Sequence, residues 1–358
     1  MDKETRAETR ARRAACSEFV NGDGLVQPAD WLATIGADVE PDVYGDGGVV
    51  TDLEQHVADL LGKPAAVFLP SGTMAQGAML RVHADRRTSR TVLWHPACHL
   101  ENHEAQAHAR LHALIGRPVG ELDRLITLAD LDEVAEPVAA LLLELPQRDL
   151  GGQQPSWDEL AAQAGWARDR GAAVHLDGAR LWEASAGYDR SPAEISALFD
   201  TVYVSFYKGI GALPGCCVAG SATDIAQVRE WRRRLGGTLF GMWPNAASAL
   251  ALLPERLAEM PARLRHARAI AAGLAATDGV RVVPDPPQTP MMHLLFQVSA
   301  DRFTDNARRL AEESGIWTWA EPSPTGDPSV VRCELSVGRA TCRLTPAVIA
   351  DTLAALAR

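Results

Sequence analysis

Six short runs of apolar residues, at 65–69, 92–94, 140–144, 173–177, 202–206 and 216–219, constrain this chain more than any other feature. Strands that are apolar along their whole length have no face to give to water, so both faces must be covered. Helical signals fill the intervals. Leu53, Val57, Leu60 and Leu61 recur on one helix face, with Thr51-Asp52-Leu53-Glu54 as a predicted capping box and Gly62 as a stop, and 157–168 reads as a further helix. Such alternation predicts an α/β fold, a mostly parallel sheet between helical layers. Ligands of these sheets sit beyond the carboxyl ends of the strands. Glu144, Asp177 and Lys208 all fall at or just past such ends.

At 358 residues the chain exceeds the usual single domain. The expected organisation is an N-terminal segment at 1–40, a large domain at 41–253 and a smaller α+β domain at 254–358. The last holds an Arg- and Ala-rich helix (263–275), a Pro-rich loop (284–290) and a strand at 293–298. In its final strand Val331, Cys333, Leu335 and Val337 alternate onto one face, which turns Arg332 to the other. A net charge of −11 argues against nucleic acid or an anionic membrane as partner. The N-terminus, Met1-Asp2-Lys3-Glu4 through Arg13, is charged and carries no apolar leader, and no later stretch is long and apolar enough to span a bilayer, so a cytoplasmic protein is expected. Six cysteines lack any C-x-x-C spacing, which points away from a disulfide framework or a zinc ribbon.

The chemistry concentrates in His175-Leu176-Asp177-Gly178-Ala179-Arg180 and Ser205-Phe206-Tyr207-Lys208-Gly209. A lysine amine can form a Schiff base with the aldehyde of pyridoxal 5'-phosphate, and a carboxylate can keep the pyridine nitrogen protonated so that the ring accepts electrons. Lysines after strands are usually solvated, but Gly209, Gly211 and Gly215 give this one a close-approach loop. Asp177 follows an apolar run, where a carboxylate needs a cation or donors; Arg180 is the structural alternative to a cofactor. The strand at 65–69 turns through Pro70-Ser71-Gly72-Thr73 into a helix expected from about Met74, a phosphate-binding arrangement. His95, His99 and His103 recur at helical spacing, leaving a metal-binding face open, and His108 and His112 read as histidines on a helix surface.

From 42 to 219 the sequence resembles the threonine aldolase and β-eliminating lyase family of fold-type-I (aspartate-aminotransferase-like) pyridoxal phosphate enzymes. The resemblance is carried by Asp42-Val43-Tyr44-Gly45-Asp46, Leu69-Pro70-Ser71-Gly72-Thr73-Met74-Ala75, His175 through Arg180, and Lys208-Gly209-Ile210-Gly211. It implies that Lys208 is the cofactor lysine and Asp177 the partner of the pyridine nitrogen. Ser71, Gly72 and Thr73 match the phosphate turn, and Ser205 resembles a phosphate-contacting serine. Arg180 and Arg332 match arginines that hold the substrate carboxylate, and His99 falls on the histidine that stacks on the cofactor and relays the β-hydroxyl proton. The resemblance also implies a homodimer or homotetramer with sites at subunit interfaces and Tyr44 near a neighbour's cofactor.

Three departures bear on the activity. The family's N-terminal Ser-Asp-Thr element gives way to Asn21-Gly22-Asp23-Gly24. Its Glu-Asn-Thr-His-Asn appears as Glu144-Leu145-Pro146-Gln147-Arg148, so Gln147, which cannot take a proton, replaces a histidine at the substrate. An arginine that reaches the phosphate from a neighbouring subunit has no counterpart near Gly236-Gly237-Thr238-Leu239-Phe240. The expected function is cleavage of the Cα–Cβ bond of a β-hydroxy-α-amino acid to glycine and an aldehyde. One alternative is β-elimination to ammonia and a keto acid, which Gln147 and the tryptophanase-like Gly151-Gly152-Gln153-Gln154-Pro155-Ser156 favour. Another is a protein that binds the cofactor without turnover.

Overall fold

A computed structural model describes residues 6–358, so the charged start Met1-Asp2-Lys3-Glu4 lies outside the described residues. The chain divides into two compact units, one of residues 28–149 with 154–258, the other of residues 6–27, 150–153 and 259–358.

The larger unit holds seven strands: β1 (Ala65–Leu69), β2 (Thr91–Trp94), β3 (Ile115–Pro118), β4 (Ala140–Glu144), β5 (Ala173–Gly178), β6 (Thr201–Ser205) and β7 (Cys216–Gly220). They run in the order β1-β7-β6-β5-β4-β2-β3, parallel except at β7, which is antiparallel to both its neighbours. The apolar runs are therefore strands, and the fold is the α/β architecture of fold type I. Its helices include α1 (Gly48–Leu61), α2 (Gly72–Asp85), α3 (Trp157–Asp169), α4 (Leu181–Tyr188) and α5 (Ala222–Arg234). Val67 and Leu69 of β1, Ala75, Ala78 and Met79 of α2, and Ile225 and Val228 of α5 close one buried cluster over Val218 of β7. Full burial of each large aliphatic side chain contributes about 1.5–3 kcal/mol, which fixes α2 and its N-terminus on the sheet.

Two local expectations change. The capping box at Thr51 does not form, because Gly47 and Gly48 turn the chain at positive φ and the helix begins at Gly48. Glu54 is thereby freed to point inward, where it is 5% exposed. Its Oε1 accepts the Phe68 N–H at 2.8 Å, and its carboxylate pairs with Arg229. Since β1 is an edge strand, this matters. Phe68 turns its N–H to Glu54 and its carbonyl to Arg232 Nη1 (2.8 Å), so side chains rather than a further strand satisfy the outer edge.

The second change concerns α6, which runs unbroken over Trp243–Leu274, through Pro254 and Pro261, rather than starting near 263. Buried Leu253, Met260, Leu264, Ala267, Ala271 and Leu274 continue at helical spacing across both prolines. That packing outweighs the hydrogen bonds the prolines remove.

In the smaller unit, β8 (Val280–Val283), β9 (Met291–Phe296), β10 (Ser323–Pro324) and β11 (Val331–Ser336) form an antiparallel sheet in the order β10-β11-β9-β8. Helices α7 (Ala300–Ser314) and α8 (Pro346–Leu356) contribute Phe303, Ile349 and Leu353 to its core. Val331, Cys333 and Leu335 of β11 are buried in that core while Arg332 alternates away from it. Among the described residues no helix is long and apolar enough to cross a membrane.

Candidate active site

A cavity of about 260 Å³ opens where β5 and β6 end and α2 begins, and Ser71, Gly72, Thr73, His99, Asp177 and Lys208 all line it. Each is held by a separate device. The Ser71 side chain accepts the Met74 N–H at 3.3 Å and caps α2, which leaves the first helical N–H groups directed at the cavity mouth. A Cβ at Gly72 would collide with the Tyr203 hydroxyl, so only glycine lets the turn approach β6 this closely. Asp177 ends the buried run of β5, and its Oδ1 accepts the Ala179 N–H at 3.1 Å. Lys208 lies in a tight turn closed by Gly211 N–H to Lys208 O (3.0 Å) and Ala212 N–H to Phe206 O (2.9 Å).

The charges are tuned against one another. Burial pushes the Asp177 carboxyl up, opposed chiefly by the Lys208 cation. Burial pulls the Lys208 amine down, with Asp177 opposing and Arg180 assisting. A lysine held this way reaches its neutral, nucleophilic form more readily than one in water. His99 Nδ1 bonds Glu104 Oε1 at 3.1 Å, which raises the imidazole above its ordinary value against the effect of burial.

Arg180 caps α4, two residues beyond the end of β5. Ser205 ends β6, fully buried, and its carbonyl accepts the Trp182 indole N–H at 3.1 Å. Gln147, only 3% exposed, lines a separate cavity of about 20 Å³ together with Glu144, His95 and Cys98. Its Nε2 donates to Glu144 Oε2 at 3.0 Å, so the amide at the histidine's place serves a carboxylate. Tyr44, at positive φ and 55% exposed, packs its ring edge-on against exposed Phe240. Arg332 lies on β11 in the smaller unit.

The other histidine expectations are overturned. His95 precedes the short helix His99–Asn102, and both its ring nitrogens are engaged, Nδ1 accepting the Ala97 N–H and Nε2 facing the Arg124 carbonyl at 2.8 Å. His95, His99 and His103 therefore do not form one ligating face. His108 and His112 are buried, not surface residues: they pack against Trp94 and Trp231, and burial drives His112 down to about 4. An apolar helix face can recruit imidazole as readily as leucine when an indole offers its ring.

Gln76, Tyr203 and Tyr207 also line the main cavity. Gln76 follows Gly72 by one helical turn, and that spacing was the available signal.

Glu144 sits directly across from Asp177 in the β4–β5 register. Burial, then repulsion from Asp177, pushes it up from 4.5 to about 7. Because the folded value is the higher one, its contribution to stability is complete below about 4.5 and is lost as pH rises through about 7. Glu144→Gln is expected to flatten the fall in stability between those limits by an amount on the order of 3 kcal/mol. Denaturant titrations across that range check this; parallel slopes in wild type and variant would assign the proton elsewhere.

Residues 27–297 match the family described as beta-eliminating lyase. A solved structure from Exiguobacterium sp. 255-15, assigned as an aromatic amino acid beta-eliminating lyase/threonine aldolase, is 36% identical with a TM-score of 0.92, covering 97% of this chain and 98% of that one. Another, from Listeria monocytogenes EGD-E and assigned as an L-allo-threonine aldolase, is 35% identical with a TM-score of 0.91 and covers 98% of each chain. The low-specificity L-threonine aldolase 1 of Arabidopsis thaliana is 28% identical over 83% of this chain and 86% of its own.

Proposed function

Because the chain belongs to the beta-eliminating lyase family, whose members depend on pyridoxal phosphate, and is a lyase of threonine aldolase type, we propose that it cleaves β-hydroxy-α-amino acids between Cα and Cβ. The observation that carries this is the meeting of a desolvated lysine, a buried carboxylate and a capped helix N-terminus in one cavity. These groups suit the cofactor's three handles: an amine for the aldehyde, a carboxylate for the ring nitrogen, and free helical N–H groups with Ser71 and Thr73 for the phosphate. Bound pyridoxal 5'-phosphate supplies a ring that delocalises the electron pair left on Cα.

The chain's own residues do the remainder. Lys208, its amine made easier to deprotonate by burial, offers that amine and later accepts or returns a proton at Nζ. Asp177, facing the ring nitrogen, would pair with the cation there. Arg180, with its planar fork, holds the substrate carboxylate. With His99 Nδ1–H engaged by Glu104, Nε2 is the nitrogen left to take the β-hydroxyl proton as the aldehyde departs. The exposed Tyr44–Phe240 pair supports assembly of copies of this chain about that edge.

Incubation with L-threonine, L-allo-threonine and β-phenylserine is expected to release glycine and the matching aldehyde. No glycine from any of the three would overturn the assignment. β-Elimination is the second possibility, favoured by the Gln147 amide, which brings no titratable group to that position; ammonia and a keto acid as main products would select it.

A further inference from the structure

A line of four buried side chains runs from the cavity wall into the larger unit, and the chemistry above makes no use of it. Gln76 lines the cavity, and its Oε1 lies 2.6 Å from His175 Nε2. His175 Nδ1 is 2.8 Å from Thr201 Oγ1, and the same hydroxyl is 2.8 Å from His83 Nε2. None of the four is more than 3% exposed.

The line has a direction. Burial drives His175 down to about 3 and His83 well below its ordinary value, so both rings are neutral and each carries one N–H. An amide oxygen can only accept, which puts the His175 hydrogen on Nε2. Nδ1 is then bare and takes the Thr201 hydroxyl hydrogen. Having donated, Thr201 Oγ1 accepts from His83 Nε2–H. Every donor meets one acceptor, whereas turning the Gln76 amide over would force both imidazoles into their other tautomers and put the His83 hydrogen on Nδ1, which meets no acceptor among the described residues.

We propose that Gln76 is a fixed hydrogen-bond donor to the phosphate of the ligand in this cavity, and that His175, Thr201 and His83 are positioning residues that stop its amide from turning over. Long helical side chains lean toward the helix N-terminus, so Gln76, four residues after Gly72, leans over the turn whose free N–H groups face the same anion. This rests on pyridoxal phosphate as the ligand, proposed above.

The test titrates the apoprotein with pyridoxal phosphate, pyridoxal and inorganic phosphate, in wild type, Gln76→Glu, Gln76→Met and Thr201→Val. Gln76→Glu keeps an acceptor for His175 and replaces the donor by a second carboxylate oxygen. Pyridoxal phosphate affinity should fall about 100-fold in it and about 10-fold in Gln76→Met, with pyridoxal changed less than about 3-fold. Nitrogen-15 spectra of His175 should show the Nε2–H tautomer in wild type and a mixture in Thr201→Val. Equal losses for pyridoxal and its phosphate, unchanged affinities, or an Nδ1–H tautomer in wild type would each overturn the assignment. Wild type that binds inorganic phosphate but not pyridoxal phosphate, with the phosphate lost in Gln76→Glu, would uphold the donor and reject the cofactor; binding of neither rejects both.

Discussion

Lys208→Ala is expected to lower turnover on β-hydroxy-α-amino acids by a factor on the order of 10⁴ or more, and to lack the borohydride-stable attachment of cofactor expected by mass in wild type. Covalent attachment requires a neutral amine, and burial of Lys208 lowers the cost of reaching that form. Among the described residues that line the cavity, no other amine can substitute. The cationic side chain contributing beside it is Arg180, whose guanidinium does not deprotonate in proteins. Loss of the covalent link should weaken cofactor affinity along with turnover. Retained activity with cofactor covalently attached elsewhere would refute the role of Lys208.

Glu54→Ala carries the largest expected effect on stability, about 3–5 kcal/mol, seen as a lowering of the larger unit's thermal transition by on the order of 10 °C. The substitution strips the Phe68 N–H of its acceptor and leaves Arg229 and Arg232 without their carboxylate. Arg229 can turn to water; Arg232, at 4% side-chain exposure, cannot. Burial still holds the Glu54 carboxyl above its ordinary value despite both arginines, so desolvation exceeds the gain from pairing. Replacing Glu54 and Arg232 together by apolar residues should accordingly cost less than Glu54→Ala alone. Equal or greater loss in the double variant would show the pair to be net stabilising.

The strands of the larger unit were legible because a buried parallel sheet writes itself as apolar runs, and the limits at Ala140–Glu144 coincide with those expected. Asp177 and Lys208 were legible because charge at the end of such a run is costly unless used. The misses have a common cause. Glu54, His108 and His112 are polar residues that the surface rule sends outward, and each is retained inside by a partner far along the chain: Arg229 for Glu54, Trp94 and Trp231 for the histidines. Gln76 was hidden likewise, since its partner His175 lies 99 residues on. The unbroken α6 was missed for the opposite reason, local proline chemistry being read as decisive where packing prevailed.

The place of β1 in the sheet has a bearing on how the site comes into being. Its sole sheet neighbour is β7, with Ala65 paired to Gly220, so the first of these strands to be synthesised waits for the last. Contacts so distant along the chain form slowly, because a long loop must close before they reward it. The turn through Ser71, Gly72 and Thr73 follows β1, and Lys208 lies between β6 and β7. The two sides of the cavity are therefore expected to come together late in folding, and a nascent chain to offer no such cavity until β7 has been made.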